Sequence, residues 1–145
     1  MQINIKRLSP DVPMPEYKTA GAVAFDLAVT EGGTLASGES RLFPTGLVVE
    51  IPVGYTLILA PRSSNAKKQV KFANGIGIID QDYHGPTDQL FLALHNFGSA
   101  PYTVEKGERI GQGMFVPVLK AEFIEVEKIE ATDRGSFGTT GWFVI

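Results

Sequence analysis

The sequence predicts an all-β domain, and three observations carry that expectation. Sixteen glycines and nine prolines are spread through 145 residues and cut the chain into short pieces. Within the pieces apolar and polar residues alternate with period two, the period of a strand with one buried face. A helical pattern appears only in one short stretch, residues 64–71. Many short strands bounded by Gly and Pro turns build a sandwich, a jelly roll or a barrel.

The elements follow in order. In residues 2–7, Ile3 and Ile5 share one face. Residues 21–27, GAVAFDL, read as a loop entering a strand, with Asp26 near the strand's start. An isolated Asp there commonly bonds nearby backbone donors. Residues 47–51 and 55–60 flank a turn at 52–54 and predict a hairpin. Ser64 is the candidate cap of the helical stretch 64–71. Strands are expected at 90–96, 114–118 and 122–129. In the last of these Ile124 and Val126 share a face, and Glu125 and Glu127 point the other way.

Residues 74–85, NGIGIIDQDYHG, organise the rest. Ile76, Ile78 and Ile79 are strand formers. Gly75 and Gly77 mark places where another backbone or a ligand comes close. The stretch predicts a hairpin arm with its main chain open to a flat ligand, ending in Asp80, Asp82 and Tyr83. An ordinary hairpin with a solvated acidic turn is the plainer alternative.

The bulk properties narrow the function classes. A length of 145 residues suits one domain with a real core. The net charge of −3 advertises neither nucleic acid nor an anionic membrane, so basic residues for a polyanionic ligand must be placed locally. The absence of cysteine excludes disulfides and cysteine nucleophiles. The opening MQINIKRLSP alternates and does not read as a signal peptide. No apolar run is long enough to cross a bilayer. The expected compartment is the cytoplasm.

Three further stretches carry candidate chemistry. Residues 61–68, PRSSNAKK, set Arg62, Ser63 and Ser64 at a strand end beside a helix start, where N–H groups, hydroxyls and a guanidinium together suit a phosphate. A capped helix with a solvated Arg–Lys face is the plainer reading. Residues 107–118, GERIGQGMFVPV, hold Arg109 and Gln112 as polar positions in an apolar run, suited either to a site or to an exposed face. Residues 133–141, DRGSFGTTG, place Arg134 and Phe137 among small residues, the composition of a disordered tail or of a lid. The apolar 142–145 after it is expected to pack somewhere.

Taken in order, residues 21–27, 61–68, 74–85, 107–118 and 133–141 resemble the five motifs of the trimeric dUTPase family. GIIDQDYHG is the most specific match, with RSS and ERIGQ next, and the resemblance spans nearly the whole chain. It implies a jelly-roll-like β-fold (β-clip) with at most one short helix. It implies one β-domain over 1–131 and a flexible arm over 132–145 that carries the fifth motif. It also implies a homotrimer with active sites at subunit boundaries. The activity implied is hydrolysis of dUTP to dUMP and pyrophosphate, which limits uracil in DNA and supplies dUMP for thymidylate synthesis.

Residue by residue, the resemblance makes Asp80 the carboxylate that orients the attacking water and contacts the 3′-hydroxyl. Tyr83 would lie under the deoxyribose, where a 2′-hydroxyl clashes. Asn74 and the backbone of residues 75–79, Gly77 and Ile79 among them, would read uracil and exclude the thymine methyl. Arg62, Ser63, Ser64, Arg109 and Gln112 would contact phosphates. Asp26 and Asp82 would support the site. Phe137 would stack on uracil and Arg134 would reach the phosphates. Mg²⁺ would arrive held mainly by the phosphates and water, and the two histidines, His84 and His95, lack ligand spacing.

Three positions depart from the family pattern: Ala24 for a usual Gly, Asn65 for a usual Leu, and a shortened interval between Arg134 and Phe137. Two rivals were weighed. A related dCTP deaminase would place a catalytic Glu in the strand 90–96, where this chain has Ala93. A non-enzymatic β-domain of the same fold would not need Asp80 and Tyr83, and both are present.

Overall fold

The computed structural model describes residues 1–135. Within them lie eleven strands: β1 (Asn4–Arg7), β2 (Phe25–Ala28), β3 (Gly33–Leu35), β4 (Ser40–Pro44), β5 (Leu47–Glu50), β6 (Tyr55–Pro61), β7 (Val70–Phe72), β8 (Gly77–Ile79), β9 (Phe91–Asn96), β10 (Tyr102–Val104) and β11 (Arg109–Pro117). A single 3₁₀ turn, Ser63–Ala66, is the only helical element among the described residues. The all-β, jelly-roll-like fold is as expected. No helix in the described residues is long and apolar enough to cross a membrane.

Every strand pairing is antiparallel. A four-stranded sheet runs β2-β11-β6-β8, and a three-stranded sheet runs β4-β9-β7. Two ribbons, β1-β5 and β10-β3, complete the architecture. Period-two alternation decides which side chains go inside. Leu57 and Leu59 of β6, Leu92 and Leu94 of β9, and Leu27 of β2 are buried, while their strand neighbours are not. They belong to one contiguous core.

The two larger sheets meet at Gly111. A Cβ there would sit 2.7 Å from Leu92 Cδ1 and 3.3 Å from the Phe72 ring, so only glycine lets β9 approach β11 so closely. Gly111→Ala would overpack the core by about 1–3 kcal/mol.

Three local expectations are corrected. The turn at 52–54 forms, with Tyr55 N–H donating to Pro52 O at 3.1 Å. Its flanking strands do not pair: β5 pairs with β1, and β6 pairs with β11 and β8. A turn signal is local, and the pairing partner is chosen by distant strands. The helical stretch 64–71 shrinks to the 3₁₀ turn, whose N-cap is Arg62 with no side-chain cap, so Ser64 does not cap it. Gln69 adopts a positive φ of 55°, and the chain then turns into β7, where Val70 and Phe72 are buried. The strand 122–129 is absent. No ladder partner meets it among the described residues, and a strand without one keeps no regular structure. Phe123, Ile124, Val126 and Ile129 are therefore exposed.

Candidate active site

Arg62, Arg109, Gln112 and Asp26 gather where β2, β6 and β11 meet. β11 is central in its sheet, so Gln112 lies opposite both Asp26 and Ala60. Asp26 receives two arginines, Arg62 Nε at 2.9 Å and Arg109 Nη1 at 3.0 Å. This replaces the expected backbone partners of Asp26. The Asp26 side chain is 12% exposed and Arg109 is 46% exposed, so the acid sits inside and a guanidinium faces out. Arg62 Nη1 also donates to Arg109 O at 2.9 Å, and Gln112 Nε2 donates to Pro61 O at 3.0 Å. These bonds lock the two motif loops to each other. Ser63 is exposed. Ser64 Oγ is buried with no partner among the described residues.

A second group forms at the free edge of the four-stranded sheet. β8 pairs only with β6, through Leu57↔Ile79, Ile58↔Ile78 and Leu59↔Gly77. Its outer main-chain edge is unpaired among the described residues, as the open hairpin arm requires, although β7 and β8 belong to different sheets and form no ladder hairpin. Gly75 makes the turn before β8 with φ +75°. Thr56 Oγ1 donates to Ile79 O at 2.8 Å and Gln81 Nε2 to Tyr55 O at 2.9 Å. Both bonds pin the peptide stretch that presents Asp80. Asp80 and Asp82 are exposed. Together they line a cavity of about 670 Å³ with Ile58, Ile78, His84 and Val116. Asn74 and Tyr83 stand outside that cavity. The Tyr83 hydroxyl donates to Gln89 O at 3.0 Å, which fixes its ring.

Residues that the motifs did not flag hold the acidic turn. Asp88 Oδ2 accepts from Gly85 N–H at 2.8 Å, and Lys6 Nζ donates to Pro86 O at 2.7 Å. The Asp three residues after Gly85 is a short-range turn signal that a reader of sequence can find; the Lys6 contact, arriving from β1, is not. Arg134 is exposed in irregular chain beyond β11, and Phe137 lies outside the described residues, as does 142–145.

The class that this fold defines is a jelly-roll-like β-domain; two of its arginines are gathered on one acid, and a separate acid stands beside an open strand edge. The chain belongs to the dUTPase family, whose model matches residues 10–141. The deoxyuridine 5'-triphosphate nucleotidohydrolase of Methylocella silvestris is 44% identical, over 97% of this chain and 92% of that protein. That of Citrobacter koseri is 41% identical over 97% of each. Among solved structures, a Staphylococcus bacteriophage 80alpha dUTPase with dUpNHpp superimposes with a TM-score of 0.86 at 26% identity, covering 97% of this chain and 98% of that one. The Streptococcus mutans dUTPase gives 0.74 at 34% identity, covering 82% and 98%.

Proposed function

We propose that this protein hydrolyses dUTP to dUMP and pyrophosphate. The observation that carries the reading is the double ion pair of Asp26 with Arg62 and Arg109, which sets two guanidinium groups in place before any ligand arrives. Preorganised cations of this kind neutralise the charge that spreads over a phosphoryl group in its transition state. Asp80 accepts a hydrogen bond from a water and aims it at the α-phosphorus. A bond forms from that water oxygen to phosphorus, the bond to the bridging oxygen breaks, and pyrophosphate leaves. Tyr83, held by its bond to Gln89, stands beside the deoxyribose and refuses a 2′-hydroxyl. Asn74 and the free edge of β8, including Gly77 and Ile79, read the uracil edge with main-chain donors and acceptors. Ser63 and Gln112 complete the phosphate side, and Asp82 supports Asp80.

Mg²⁺ fits this site as a passenger of the substrate. No group of three or more His, Cys, Asp or Glu stands together among the described residues. Both oxygens of Asp26 are already engaged by arginines, so the acid nearest the phosphate side is not free for a metal. The triphosphate and water would hold the ion, and the ion would carry part of the phosphate charge.

Spacing along β6 supports a homotrimer with shared sites. Asp80 follows Ile79, which pairs with Leu57, so Asp80 is level with Thr56 at the start of β6. Arg62 follows Pro61 at the other end, about 20 Å away at the rise of an extended strand. A triphosphate is too short to meet both in one chain. A neighbouring copy would bring its Arg62 and Arg109 to this chain's Asp80. The same logic makes 132–145 an arm that delivers Arg134 and Phe137 to a finished site, attached to the β-domain 1–131. The compartment that goes with this reading is the cytoplasm.

Incubation with dUTP, dCTP, UTP and dTTP plus Mg²⁺, following pyrophosphate and ammonia, tests the reading. Pyrophosphate from dUTP far above the other three is expected. Ammonia from dCTP would make the protein a deaminase, and no product from any of them a non-enzymatic domain.

A further inference from the structure

The start of β11 is irregular. Arg109 stands opposite Ala28 and Gly111 opposite Leu27, so Ile110 has no counterpart on β2. Such a bulge takes one residue out of the ladder and re-aims its neighbours. Ile110 is completely buried, so its displaced carbonyl has no access to water. The donor it finds is the side-chain amide of Asn65, whose Nδ2 lies 2.8 Å from Ile110 O.

Asn65 is itself tightly placed. It is 1% exposed, and its N–H donates to Arg62 O at 3.0 Å. Arg62 Nη1 takes the carbonyl of Arg109, and Asn65 takes the next one, that of Ile110. Two side chains from the 62–65 segment therefore grip two successive peptides, the one that follows Arg109 and the one after Ile110.

The other end of the Asn65 amide is unsatisfied. Its Oδ1 is buried with no partner among the described residues. An apolar residue of similar volume would remove that penalty, so packing alone does not favour Asn here. The donor end is what an apolar residue lacks.

We infer that Asn65 is a positioning residue: its amide holds the Ile110 bulge and so aims the Arg109 guanidinium at the phosphate chain of the substrate. The inference rests on the proposed phosphate role of Arg109 and goes beyond it by naming what fixes that arginine's direction. It also gives a purpose to the polar residue that stands where the family usually has Leu.

The test is a double-mutant cycle on dUTP hydrolysis with Asn65→Leu, Arg109→Ala and the pair, at a temperature where each variant is folded by circular dichroism. Asn65→Leu should lower kcat/KM about ten-fold, and the pair should be no worse than Arg109→Ala alone. Melting should shift little, because losing the bond to Ile110 and removing the orphaned Oδ1 oppose each other. By calorimetry the same variant should bind dUpNHpp more weakly and dUMP, which lacks the outer phosphates, nearly as before. Asn65→Val, which also lacks the donor, should behave alike in kinetics. Wild-type constants in the folded variants, fully additive losses, or equal weakening for dUpNHpp and dUMP would each overturn the inference. Failure of both variants to fold would assign Asn65 to stability alone and overturn it too. A wild-type protein inactive on dUTP would instead sink the proposed function.

Discussion

Asp26→Asn removes the charge that two arginines share while keeping the shape of the side chain. The magnitude follows from exposure. Asp26 is 12% exposed, Arg62 30% and Arg109 46%, so the cluster lies between a surface pair and a buried one. Surface pairs contribute about 0.2–1 kcal/mol, and breaking a buried pair costs about 3–5 kcal/mol. A loss of about 2 kcal/mol is the discounted middle, equal to a fall in Tm of about 5 °C for a chain of this size. The sign of the effect on binding separates two ideas. As a mere counter-charge, Asp26 weakens phosphate binding, and its neutralisation would tighten dUpNHpp. As the anchor that aims both guanidinium groups, its loss lets them splay and repel, and binding weakens. Differential scanning calorimetry and titration with dUpNHpp measure both quantities on one preparation. Unchanged melting, or tighter binding of the analogue, would refute the anchoring role.

Three other outcomes are expected. Tyr83→Ala should cut the preference for dUTP over UTP by about ten-fold in kcat/KM, and an unchanged ratio would count against the sugar contact. Burial pushes the Glu108 carboxyl up, but Lys68, the Tyr102 hydroxyl and the Glu105 N–H outweigh it and hold it below its ordinary value of 4.5. The ionised form is therefore favoured in the fold, and this stabilisation is present above about pH 4.5 and lost as pH falls through the lower folded value. Melting curves of Glu108→Gln should show a flatter acid limb than wild type. Deleting 133–145 should lower kcat on dUTP while leaving Tm nearly unchanged, and a fully active truncation would remove the arm from the mechanism.

The strands were legible because each carries its own alternation: Leu57 and Leu59, or Leu92 and Leu94, declare a buried face with no help from the rest of the chain. Pairing was not legible. The turn before Tyr55 announced a hairpin, yet β6 found β11 and β8 instead, since ladder partners are chosen by the whole core. The pattern at 122–129 is a strand pattern with no ladder partner among the described residues. In the site, Arg109 and Gln112 stood out as polar residues in an apolar run, and Arg62 as a guanidinium at a strand end beside two serines. Asp26 was visible as a support for the site but its arginine partners were not, because Arg109 lies 83 positions away. That Ser64 does not cap was not legible, because the turn starts on Arg62 and stays one turn long. The bulge at Ile110 leaves no trace in composition or periodicity.

Asp80 is exposed at the open end of β8, clear of the two arginines that occupy Asp26, and the mechanism assigns it the hydrolytic water. Single-turnover hydrolysis of dUTP by Asp80→Asn, with dUpNHpp binding measured on the same protein, addresses that assignment most directly. The chemical step should fall at least about a hundred-fold while the analogue still binds. A chemical step at the wild-type rate would show that another group directs the water.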